Sequence, residues 1–94
     1  MAIFEPTHIG TILKEIYLAD YNLTVKEFAF KIGISRQAAS DIINGKSGIS
    51  IETALKLEKA FKVSAQYWLD IQQQYEIWKA RQTVNLDNVE IIAL

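Results

Sequence analysis

Ninety-four residues are enough for one small domain with a single core and a narrow stability margin. Half of them are apolar, which excludes a disordered tail, and the lack of cysteine excludes both a disulfide framework and a zinc–thiolate site. The net charge of −1 argues against nonspecific coating of nucleic acid, the apolar runs are too short to span a bilayer, and no basic-then-apolar leader opens the chain, so a cytoplasmic protein without membrane attachment is expected.

One proline and four glycines predict a helical chain. Ile9, Ile12, Leu13 and Ile16 follow the i, i+3, i+4, i+7 spacing of a first helix, with Thr7 as its expected cap and Pro6 just outside. A break follows over residues 20–23. Thr24 and Glu27 then have the spacing of a capping box, and Phe28, Ala29 and Ile32 form the inner face of a second helix. Gly33 ends that helix in a left-handed conformation, Ile34 turns inward, and Ser35 caps a third helix whose core face is Ala39, Ile42 and Ile43. Asn44-Gly45 stops it. Ser50 caps a fourth helix with Ile51, Ala54, Leu55, Leu57 and Phe61 as the expected buried set. Ser64 caps a longer fifth helix, carrying Trp68, Ile71, Tyr75 and Trp78 at helical spacing and ending near residue 83. The tail "VEIIAL" alternates in part and is β-like, with Val89, Ile91 and Ala93 on one face.

Two short helices joined by a glycine turn predict a helix-turn-helix over about residues 24–44, with the recognition helix at about 35–44. Its core is Phe28, Ala29, Ile32, Gly33, Ile34, Ala39 and Ile42; Ala29 and Ala39 are small because the two axes must approach closely there. The outer face then has a use. Arg36, Gln37, Ser40 and Asp41 lie where a helix in the major groove meets base edges: arginine matches guanine, glutamine matches adenine, and Asp41 can accept from cytosine although it repels phosphates. Thr24, Lys31, Ser35 and Lys46 lie where phosphates would pass. Residues 24–46 carry Lys26, Lys31, Arg36 and Lys46 against Glu27 and Asp41, the only basic third of the chain. The plain alternative is a solvated helix start for Arg36 and Gln37, and for Lys46 a charge complementing the helix dipole.

The aromatic stripe reads as packing, while Tyr67, Trp68, Leu69, Val89 and Ile91 are candidates for contact with another chain. A lone histidine, His8, cannot hold a metal securely. No phosphate-cradling glycine loop and no catalytic constellation is evident, so neither an enzyme nor a cofactor is expected.

With these residues in view, "LTVKEFAFKIGISRQAASDIINGKSGISIETALKLEKAF" resembles the Cro/repressor-type helix-turn-helix domain. The flanks "EPTHIGTILKE" (residues 5–15) and "SAQYWLDIQQQYEIWKA" (residues 64–80) resemble signatures of HigA-type, VapI-like antitoxins. The likeness covers about residues 5–82, with Ile9 standing where the family usually has proline. It implies an all-α, five-helix DNA-binding domain over residues 1–83; the tail, 84–94, matches no family pattern. It also implies a homodimer that binds a palindromic operator, represses its own operon and silences a HigB-type, mRNA-cutting toxin. A stand-alone regulator of the same fold is the alternative. A protein-binding module that has lost DNA binding would carry an acidic or apolar outer face, and Arg36, Gln37 and Lys46 are neither.

Overall fold

A computed structural model describes residues 5–94. It contains α1 (Ile9–Ile12), which runs on as a π-helical segment (Leu13–Leu18), then α2 (Val25–Ile32), α3 (Arg36–Ile43), α4 (Ile51–Phe61) and α5 (Ala65–Thr83). The five-helix, all-α expectation holds, and among the described residues there is no strand.

Side-chain caps start every helix. Thr24 and Glu27 satisfy each other's backbone N–H groups, both at 3.1 Å. Ser35, Ser50 and Ser64 each accept the N–H three residues on, at 3.0, 3.1 and 3.2 Å. The first helix departs from expectation. Its cap is His8, whose Nδ1 accepts the Gly10 N–H at 2.9 Å, and not the exposed Thr7. Thr7 is one residue too early. His8 holds the extended backbone (ψ 142°) of a cap, and its ring meets the Tyr75 edge at 5.0 Å, tying the start of α1 to α5.

Ile16 is a second departure: it is half exposed, whereas Leu13 and Leu18 are buried. A π-helical turn is wider than an α-helical one, so the inward face moves on from Leu13 to Leu18 and swings Ile16 out. On α4 the buried stripe is Ala54 and Leu57 with Phe61 half-buried, while Ile51 and Leu55 face outward. Leu55 sits about 100° round the helix from Ala54, which takes it off the packed side.

The core is built round Trp68, which is 0% exposed, donates its indole N–H to the Val63 carbonyl at 3.2 Å, and meets Tyr17 at 4.7 Å and Phe61 at 6.0 Å. Trp68 is therefore not available to another chain, contrary to its assignment with Tyr67 and Leu69. Tyr67 is exposed and Leu69 half-buried against the core. Residues 84–94, expected to be β-like, form no strand; the Val89 N–H closes a turn on the Leu86 carbonyl at 3.0 Å, and Val89 and Ile91 are exposed. A β-ladder needs a partner strand, and the domain offers none among the described residues.

Gly10 is where α1 presses on α3. A Cβ built there would run into the Ile42 carbonyl group, which is backbone and cannot swing aside. Helix propensity alone would make Gly10→Ala stabilising by about 1 kcal/mol. The collision should dominate, and the variant should lose about 1–3 kcal/mol in chemical denaturation.

His8 supplies a pH dependence. Burial, and then the Lys79 ammonium, hold its imidazole below the ordinary value, against the opposing pull of Glu76. The cap also needs the Nδ1 lone pair, which protonation removes. The folded state therefore binds this proton less readily than the unfolded chain, whose imidazole titrates near about 6.5. Its contribution is present above that pH and is lost as pH falls through the lower, folded value. Thermal stability should drop on acidification below about 6.5, and His8→Asn, which keeps a capping acceptor, should lessen that slope.

Candidate nucleic-acid interface

The α2–α3 corner is set by backbone chemistry. Gly33 adopts φ 74°, ψ 38°, and the N–H groups of Gly33 and Ile34 both reach the Ala29 carbonyl at 3.0 Å. This closes α2 and turns the chain sharply into Ser35. Ala29 on α2 and Ala39 on α3 are 3% and 0% exposed, on the packed sides of two helices that contact each other. Phe28, Ile32 and Ile42 are buried beneath them and Ile34 is half-buried.

This packing leaves one side of α3 outward. Arg36 and Gln37 are exposed on its first turn; Ser40 and Asp41, one turn on, are half-buried. The outer side chains are tied in pairs. Gln37 Nε2 donates to Asp41 Oδ1 at 2.9 Å, and Asn44 Nδ2 donates to Ser40 Oγ at 3.1 Å. The loop after α3 folds back on the same helix: the N–H groups of Lys46 and Ser47 donate to the Asp41 carbonyl at 2.8 and 3.2 Å, with Gly45 at φ 76° making the bend. Lys46 is thus carried on a fixed turn, exposed beside the end of α3.

The remaining phosphate candidates are spread out. Ser35 is the exposed cap of α3. Thr24 caps α2 and Lys31 lies in its last turn, so about 10 Å of helix rise separates them and one phosphate cannot take both. The Glu27 carboxyl between them is held below the usual carboxylate range, first by the Thr24 N–H and then by the Thr24 hydroxyl, with a smaller pull from Lys31. That acid is committed to the helix start.

Sequence reasoning did not find Gln72. From α5, its Oε1 accepts the Ile49 N–H at 2.6 Å and its Nε2 donates to the Ile49 carbonyl at 2.8 Å. One side-chain amide thereby satisfies both backbone groups of a buried residue in the α3–α4 loop. The glutamine run at residues 72–74 has no hydrophobic signal, and only the approach of Gly48 to α5 reveals the contact. Among the described residues, no three His, Asp or Glu side chains gather to hold a metal, and no helix is long and apolar enough to cross a membrane.

Residues 13–68 match the helix-turn-helix family. The chain belongs to that family, of Cro/repressor type. It is a DNA-binding protein and not an enzyme. Among the relatives of this helix-turn-helix chain, it is 47% identical over 73 residues to virulence-associated protein A of Dichelobacter nodosus, covering 77% of this chain and 72% of that one. It is 32% identical over 76 residues to antitoxin HigA-1 of Vibrio cholerae, covering 81% and 71%. In three dimensions it is similar to the antitoxin HigA of Pseudomonas aeruginosa solved with the higBA promoter, with TM-score 0.83, 26% identity and coverage of 95% and 99%. The likeness to HigA-type, VapI-like antitoxins read from the two flanking motifs is thus shared by sequence relatives and structural neighbours.

Removing the Gln72 amide leaves a buried N–H and C=O at Ile49 without their partner. Gln72→Leu should lower stability by about 1–3 kcal/mol in urea denaturation, and amide exchange at Ile49 should accelerate.

Proposed function

We propose that this chain is the antitoxin of a two-gene toxin–antitoxin pair: a cytoplasmic homodimer that reads a palindromic operator, represses its own operon and neutralises a HigB-type, mRNA-cutting toxin. The observation that carries the DNA half is the outward first turn of α3, where Arg36 and Gln37 stand free of the core at the start of a helix locked by Gly33 and Ser35. In this arrangement Arg36, Gln37, Ser40 and Asp41 face base edges, and Thr24, Lys31, Ser35 and Lys46 receive phosphates. One such helix buries too little surface for tight specific binding, so a twofold dimer presents two, about 34 Å apart.

The antitoxin half is supported by the likeness to HigA-1 and to the HigA solved with its promoter. Exposed apolar side chains at the end of α5 and in the tail, among them Ile77, Val84, Leu86, Val89 and Ile91, fit contact with another chain. Tyr67 and the edge of Leu69 offer a second such surface. The tail, 84–94, is assigned to the partner-binding part and residues 1–83 to the DNA-binding domain.

Arg36→Ala should cost about 1–3 kcal/mol on the specific site, whereas Lys46→Ala should weaken all sequences alike and flatten the salt dependence. Equal loss on specific and nonspecific DNA in both variants would refute the base-reading assignment. For the antitoxin half, the neighbouring reading frame should encode a small toxin whose growth arrest is relieved by co-expression of this chain. If no such neighbour exists, the stand-alone regulator is the correct reading.

A further inference from the structure

The acid on the reading face of α3 is out of place if its only task is to meet DNA, because Asp41 carries the same charge as the phosphates. Its side chain is engaged elsewhere: Asp41 Oδ1 accepts from Gln37 Nε2 at 2.9 Å, one helical turn away. A glutamine amide is two-faced, with an acceptor oxygen and a donor nitrogen, and a free one turns either face to a base. A carboxylate accepts and does not donate. The pairing therefore fixes which way the amide points. The nitrogen is held against Asp41, and Oε1 is left for the groove.

We propose that Asp41 is a positioning residue for base reading: by holding the Gln37 nitrogen it presents the Gln37 oxygen, and so selects bases with a major-groove amino group, adenine or cytosine, over the keto bases guanine and thymine. This rests on the reading of α3 as the helix that meets base edges. In the major groove, adenine N6 and cytosine N4 donate, while guanine O6 and thymine O4 accept. An oxygen facing the groove matches the first pair and opposes the second. In water such an i, i+4 pair is weak. In a groove emptied of water the tie tightens, because the alternative partners are gone. Asn44 and Ser40 form a parallel tie one face over, at 3.1 Å.

The test uses the full chain and a randomised duplex library, with enriched sites sequenced for wild type, Arg36→Ala, Gln37→Ala and Asp41→Ala. Gln37→Ala marks the position that Gln37 reads. There the wild type should favour adenine or cytosine over guanine or thymine by about tenfold. Asp41→Ala should shrink this to within about threefold, while the position marked by Arg36→Ala keeps its discrimination. Alanine is the better helix former, so the variant should melt no lower than wild type. The inference is overturned if Asp41→Ala strengthens binding to every sequence by one factor, which is charge repulsion alone, or if the amino-over-keto preference survives. It is overturned alone, with the wider reading intact, if Arg36 marks a position and Gln37 marks none. If the wild type enriches no sequence, both fall together.

Discussion

Everything on the outward face of α3 depends on how tightly that helix is held. An eight-residue helix is too short to persist alone. Three neighbours confine it. On one side Gly10 of α1 comes so close to the Ile42 carbonyl that no Cβ fits. Against α2, the small side chains Ala29 and Ala39 are both buried. Beyond its end, Gln72 grips the backbone of Ile49. Two of these contacts are made by the smallest side chains available. Small residues here let backbones approach, and a backbone held in this way fixes the direction in which its outward side chains start.

This also answers how a chain of net charge −1 serves a polyanion. The charge that matters is local, and the acids within the basic stretch are occupied. Glu27 closes the start of α2 and Asp41 ties Gln37. Neither extends freely toward a phosphate, whereas Arg36, Lys31 and Lys46 lie exposed. One acid of α5, Glu76, does lie near the Lys46 turn, where it lines a cavity together with Lys46 and Lys79.

What could be read from the sequence followed the range of the interaction. Caps at Thr24, Ser35, Ser50 and Ser64 are bonds across three residues, and the serine or threonine that makes each one is visible in the string. Gly33 is legible for the same reason, since a left-handed turn after an apolar run leaves few choices of residue. Failures lie where distant chain decides. Thr7 was the better cap by residue type, yet His8 takes the position because its ring also packs on Tyr75. Ile16 had the right spacing for a regular helix but not for the wider turn at Leu13–Leu18. Ile51 and Leu55 are as apolar as their buried neighbours, and only the direction of packing separates them. The aromatic stripe held one residue, Trp68, that belongs wholly to the interior, and a period cannot tell the middle of a core from its rim. Gln72 carried no signal, because its partner is a backbone 23 residues away.

The Ile49 clamp has a mechanical consequence. Gln72 sits in the middle of α5, the helix that ends in the exposed apolar tail, and Ile49 belongs to the loop that begins with Lys46. The amide grips both poles of one residue, so two hydrogen bonds fasten the loop to the helix. From that residue the chain runs back to the Lys46 turn, whose N–H donates to the Asp41 carbonyl near the end of α3. A short path of backbone and hydrogen bonds therefore joins the middle of α5 to the end of α3.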